Sequence, residues 1–268
     1  MPQCFRFAAG FGFFVAFVGF AAAVVDRARR AICVEPRTGS KVATYEEGVL
    51  VAKQICPPTA DDPIHWTYDS AELIADGIVH ALGVSLGLVG AISLGLIGPP
   101  SHSVAVYAIV LITMLGLSAT YNLWPVSPRK WLLRRFDHSA IYLLIAATYT
   151  PFITQVRDRE FAIVFLVGVW GLAIAGAILK LSFPGRFDRL SIWLYLAMGW
   201  SAIFAYEKAA AAFPSSTLML IATGGALYTL GVLFHSWERL RFHNAIWHGL
   251  VLVGAGCHFS AVLGLQIV

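Results

Sequence analysis

This chain is short of charge. Of its 268 residues only 13% are Asp, Glu, Lys or Arg, while 58% are hydrophobic. A soluble domain of this length carries about a quarter charged residues. An ordinary soluble fold is therefore excluded, and so is a soluble secreted toxin, because several spanning segments cannot be released into water. Nucleotide and redox signatures are missing as well. The sequence has no GxGxxG, no GxxxxGK[ST] and no CxxC, which removes dinucleotide, P-loop and dithiol chemistry. The net charge is only +4. Its Lys and Arg lie in short stretches between apolar runs, so no nucleic-acid surface is expected. Cysteine is sparse, with four in all. Cys4 and Cys257 lie in apolar runs and read as buried thiols, whereas Cys33 and Cys56 share one polar segment.

What the chain has is apolar length; its mean hydropathy is +0.73. A helix needs about 20 mostly apolar residues to cross the hydrocarbon core. Seven such runs occur, at 74–97, 104–124, 138–155, 161–181, 190–211, 216–235 and 245–267. Helix stoppers divide them. Gly98-Pro99-Pro100 ends the first, Pro125 and Pro128 the second, Phe183-Pro184-Gly185 the fourth, and Pro214 separates the fifth from the sixth. An eighth run, Phe7–Val25, precedes them. The expected fold is all-α: an integral membrane seven-helix bundle with an extra N-terminal hydrophobic segment. Residues 1–30 read as an anchor or signal-like segment, 31–71 as a polar, cytoplasmic linker, and 72–268 as the seven-helix domain.

Lys and Arg in short loops set orientation. Arg129, Lys130, Arg134, Arg135, Lys180, Arg186, Arg189, Arg239 and Arg241 fall on one side, against Arg157, Arg159 and Lys208 on the other. That bias puts the start of the first core helix inside and the chain end outside. A cleaved signal peptide would instead place 26–71 outside, where Cys33 and Cys56 could pair. Arg27, Arg29 and Arg30 directly after the run favour an uncleaved anchor and a cytoplasmic linker.

In this topology the intramembrane polar groups gather at one depth. Glu72, Asp76 and His80, spaced i, i+4, i+8, share a face at the start of the first helix. Ser118 and Asn122 lie in the last turn of the second, and Asp137 and His138 open the third. His243, Asn244 and His248 open the seventh, with Asn244 and His248 on one face. Ionisable groups at membrane depth are costly and face a bundle interior or a watery cavity. Taken singly, each has a plainer reading. Glu72 caps its helix, Ser118 bonds its own backbone, the asparagines hold helices together, and His138 is a satisfied interfacial residue. His235 and His243 flank a basic loop and read as solvated. His258 reads as a packed core histidine, too far along the helix to join the cluster. Asp137 and His248 resist such readings most.

The stretch Asp137-His-Ser-Ala-Ile-Tyr-Leu-Leu-Ile-Ala-Ala-Thr-Tyr-Thr-Pro-Phe152 resembles the central signature of the bacterial hemolysin III proteins, relatives of the progestin and adipoQ receptors. Glu72…Asp76…His80-Ala-Leu-Gly resembles the first motif of that family, Ser118-Ala-Thr-Tyr-Asn122 the second, and Asn244-Ala-Ile-Trp-His248-Gly-Leu-Val-Leu the last. The resemblance spans about residues 68–268. It implies seven helices with the N-terminus inside. It also implies a zinc ion near the cytoplasmic face, held by one histidine of the second helix and two of the seventh, with a serine and an aspartate beside a bound water. Three protein ligands plus water is the layout of a hydrolytic zinc site. This chain departs from it. The implied ligand positions are Asn122, Asn244 and His248, and only the last is an imidazole. Asp76 stands where the family carries asparagine. An amide oxygen is a poor zinc ligand, so zinc is weakly supported. His80, Asp76 and His243 are the possible substitutes, the last by way of a π-bulge.

Two functions are in view. One is a membrane-homeostasis, receptor-like or channel-like protein, hemolysin-like in name, with a polar cavity at its cytoplasmic side. The other is a zinc-dependent hydrolase of a lipid amide or ester, with Asp137 as base, Ser118 holding water or oxyanion, and His248 on the metal. The expected partner is membrane lipid, as surroundings, substrate or ligand. The expected location is the bacterial inner membrane, multi-pass.

Overall fold

In the computed structural model, which describes residues 68–183 and 187–267, the bundle begins at a carboxylate. Asp69 is the N-cap of α1 (Ser70–Ile97). Its Oδ1 accepts from the Glu72 amide at 2.8 Å, and Glu72 Oε2 accepts from the Asp69 amide at 2.9 Å. Such a reciprocal box satisfies two donors that a helix start otherwise leaves open. The expected anchor over 1–30, Cys33, Cys56 and most of the linker lie outside the described residues, as does Arg186.

The helices that follow are α2 (His102–Leu123), α3 (Pro128–Ile153), α4 (Arg159–Ser182), α5 (Asp188–Trp200), α6 (Tyr206–Ala212), α7 (Ser215–His235) and α8 (His243–Ile267). A 3-10 segment, Ser201–Ala205, joins α5 to α6 end to end, so residues 188–212 form one broken rod and the described residues make seven rods. Among the described residues there is no strand. Five of the helices, α1, α2, α4, α7 and α8, are each long and apolar enough to cross a bilayer.

The outer surface confirms a membrane setting. Phe204 is 79% exposed, Val164 72% and Leu96 70%. Apolar side chains this bare along whole helices need hydrocarbon, not water, around them. Inside, α1 packs between α2 and α8, α2 against α3, α3 against α4, and α7 against α8. The first helix thus meets the last. Gly90 makes that closure tight: a Cβ there would stand 2.8 Å from Phe259 Cε2 of α8. Leu94, Tyr107, Met114, Leu144 and Val262 fill the main core between α1, α2, α3 and α8.

Two expectations need correction. Pro128 does not end the second helix but begins the third. Proline suits a first helical position, because its missing N–H would be unsatisfied there anyway. Arg129, Lys130, Arg134 and Arg135 therefore lie in the opening turns of α3, and Asp137 sits about two and a half turns inside it rather than at its start. Nor is the fifth rod one regular helix. The Tyr149 hydroxyl of α3 lies 2.9 Å from Met198 O and 2.5 Å from Gly199 O, and accepts from the Ala202 amide at 2.8 Å. It supplies the partners that the broken backbone ladder loses.

Two outcomes are expected. Tyr149→Phe, which strands those backbone groups, costs about 1–3 kcal/mol and lowers the melting temperature of the purified chain; an unchanged melt would show that the break carries itself. In a background without the native cysteines, Val126→Cys is labelled by an impermeant thiol reagent only from inside and His102→Cys only from outside. The reverse pattern overturns the orientation read from Lys and Arg.

Candidate functional site

One end of the bundle, where the basic stretches lie, holds a buried polar cluster. α1 contributes Asp76 and His80, one turn apart, each only 6% exposed. His80 Nε2 is 3.6 Å from Asp76 Oδ2 and has no hydrogen-bond partner among the described residues, although it is sealed from solvent. α8 contributes His248, whose Nδ1 is 2.6 Å from Asp76 Oδ1. The two imidazoles face each other, with ring centroids 4.4 Å apart. One ligand-type atom from each of Asp76, His80 and His248 lies within 4.8 Å of the others.

The asparagines surround this core. Asn244 Nδ2 donates to Asp76 Oδ2 at 3.0 Å and, at 3.5 Å, to Asn122 Oδ1. Asn122 Nδ2 in turn donates to the Ser118 carbonyl at 3.0 Å and to Ser118 Oγ at 3.4 Å. The buried Asp137 carboxyl of α3 lies in the neighbourhood of Ser118. Hydrogen bonds thus connect α1, α2 and α8 in one polar network, with Asp137 of α3 beside it. The site residues singled out in the sequence converge, with one exception. His243 starts α8 with its Nδ1 3.1 Å from Leu240 O and its ring against Tyr68. α8 is regular from His243 onward, so no bulge turns His243 toward His248.

Other histidines settle variously. His258 is buried with Nε2 3.1 Å from Ile221 O, as a packed core histidine should be. His235 is not solvated as expected: its Nδ1 is buried without a partner among the described residues and its ring lies 5.2 Å from Trp247. Glu72 takes the capping reading and does one thing more. Its Oε1 accepts from the Phe242 amide at 2.9 Å, while Asp69 Oδ2 accepts from Arg241 at 2.9 Å. The first turn of α1 thus clamps the last turn before α8.

Lys130 is the residue that sequence reasoning passed over, taken there only as a topology signal. It is 7% exposed, and its Nζ donates to Asn122 O at 3.2 Å and Trp124 O at 2.8 Å. Helix C-termini leave carbonyls open and attract cations; a lysine shortly after the α2 stop was the available signal. Arg134 and Lys180 are likewise buried, both paired with Asp188 of α5, Arg134 at 2.7 Å. The broad surface groove between α4 and α5, lined by Val164, Gly168, Leu172 and Leu194, is apolar and remote from this chemistry.

A family profile described as "Haemolysin-III related" matches residues 72–259, which takes in every residue of the cluster. The chain belongs to the hemolysin III family. It is 37% identical over 200 residues to the "Hemolysin-3 homolog" of Bacillus subtilis (strain 168), covering 72% of this chain and 93% of that one. More distant similarity reaches a human "Monocyte to macrophage differentiation factor", 27% over 165 residues, 59% and 67% of the two chains. It also reaches a rice (Oryza sativa subsp. japonica) "Heptahelical transmembrane protein ADIPOR2", 29% over 194 residues, 62% and 82%. The hemolysin III chain is thus a multi-pass membrane protein related to the adipoQ-type receptors.

The clamp has a pH signature. The Glu72 amide, first, and the Arg241 guanidinium hold the Asp69 carboxyl below its ordinary 3.8. A carboxyl held low stabilises fully above its ordinary value and loses that contribution as pH falls below it. Amide exchange at Glu72, corrected for intrinsic rate, is therefore expected to stay slow from pH 7 down to about 4 and to accelerate below. Loss of protection already between pH 7 and 5 would remove Asp69 as the cap.

Proposed function

We propose that this hemolysin III chain works in membrane homeostasis, as a receptor-like or channel-like protein, through its buried Asp–His–Asn cavity and not by hydrolysis. One observation carries the reading. At the three positions where the family resemblance puts zinc ligands, two amides are engaged with other protein groups: Asn244 Nδ2 bonds Asp76, and Asn122 accepts from Asn244 while donating to Ser118. Nitrogen donors turned toward a carboxylate and a hydroxyl suit a hydrogen-bonded network. They do not suit a cation, and only His248 of that set offers imidazole. A zinc ion bound through Asn122, Asn244 and His248 is therefore not what these donors fit.

A second reading keeps a specific support. Ser118 and Asp137 lie near each other beside the cluster, the pair a metal-dependent hydrolase of lipid amides or esters would use to orient water. The proposed site is the bacterial inner membrane, with the basic stretches inside and membrane lipid as the surrounding partner.

The full chain in lipid nanodiscs with added zinc, offered long-chain lipid amides and esters, is expected to release no fatty acid above an empty-disc control. Vesicles carrying it are expected to leak a small dye or ion, and Asp76→Asn to change that leak. Fatty-acid release that disappears in Asp137→Asn would replace this reading with the hydrolase. Tight vesicles and no release would overturn the channel-like form and leave the receptor-like one, to be read as lipid or cation binding.

A further inference from the structure

We infer that this chain binds a divalent cation of the zinc class at Asp76, His80 and His248, a site carried by α1 and α8 in place of the set that spans α2 and α8. The inference deepens the non-hydrolytic reading by naming a ligand for its cavity, and it rests on three observations.

First, the donors have the right chemistry. Two imidazoles and one carboxylate form a recognised three-ligand set for zinc and its neighbours. All three side chains are buried or nearly so.

Second, His80 Nε2 is a sealed polar atom with no hydrogen-bond partner within 3.5 Å among the described residues. Leaving such an atom unpaired is costly. It lies 3.6 Å from Asp76 Oδ2, close to the ligand–ligand edge of about 3.3 Å that tetrahedral bonds to nitrogen and oxygen produce. A cation between them would give His80 the partner it lacks.

Third, the supports match a metal site's needs. Asn244 Nδ2 holds the Asp76 oxygen on the His80 side at 3.0 Å, as outer-shell donors orient ligating carboxylates. His248 Nδ1 and Asp76 Oδ1, hydrogen-bonded at 2.6 Å, would lose the proton between them to solvent and part to about 3.3 Å as the cation replaces it.

The test is equilibrium dialysis of the full chain in nanodiscs against zinc chloride, with metal counted by mass spectrometry, and cobalt(II) absorption as a second readout. About one zinc per chain is expected, with cobalt giving the intense visible bands of a four-coordinate site. His80→Ala, His80→Gln and Asp76→Asn should each weaken binding by at least about 100-fold, more than an outer-shell change does, with melting curves checking that each variant is folded. Asn122→Ala, which touches only the Asn244 support, should weaken binding far less than the His80 variants do. No retained zinc in the folded chain overturns the site. So does binding lost in Asn122→Ala but kept in both His80 variants, which would return the metal to α2 and α8. Lipid turnover that follows zinc occupancy would sink the non-hydrolytic reading while leaving this site in place.

Discussion

The contact between Asp76 and His248 is where the bundle is both closed and charged. It joins the first helix to the last, so the ring of rods shuts at this pair. It also buries a carboxyl among apolar helices. A carboxylate at membrane depth must find partners or lose its charge. Here it finds His248, Asn244 and the neighbourhood of His80. Hydrogen bonds to a charged group are worth about 1.5–3 kcal/mol net, and losing one partner leaves the other stranded at greater cost. The hydrogen bonds through Asn244, Asn122 and Ser118 extend from that pair to α2, beside the buried Asp137 of α3.

Much of this was legible in the sequence because membranes simplify the reading. Where water is absent, backbone groups must pair within each segment, so long apolar runs can be little else than helices. The seven runs and the depth at which polar residues gather follow directly. The i, i+4 spacings of Asp76 with His80, of Ser118 with Asn122 and of Asn244 with His248 put each pair on one face. Their convergence needed only the alternation of helix direction.

What was not legible depended on contacts far apart in sequence. Pro128 can stop a helix or start one, and only the turn at Pro125–Ser127 decides between them. The break at Ser201–Ala205 is supported by a tyrosine hydroxyl from α3, some fifty residues away, and no local signal marks it. Lys130 counts as a loop cation until α2 is seen to end beneath it. His243 and His248 look alike as neighbours of one motif; a rotation of about 100° per residue separates their fates.

The clamp at the start of α1 also acts as a ruler. Glu72 holds the Phe242 amide, and Phe242 itself adopts a left-handed backbone, φ 62°, that a bulky residue takes only under constraint. From that fixed point the chain runs one turn up α1 to Asp76 and under two turns up α8 to His248. Adding or removing a single residue between clamp and site on either helix would swing one partner about a quarter of the way round its axis. The spacing is therefore as much a part of the site as its side chains. Any change of length in this hairpin of helices would have to fall before Phe242, in the turn after α7, where it leaves the phase of α8 untouched.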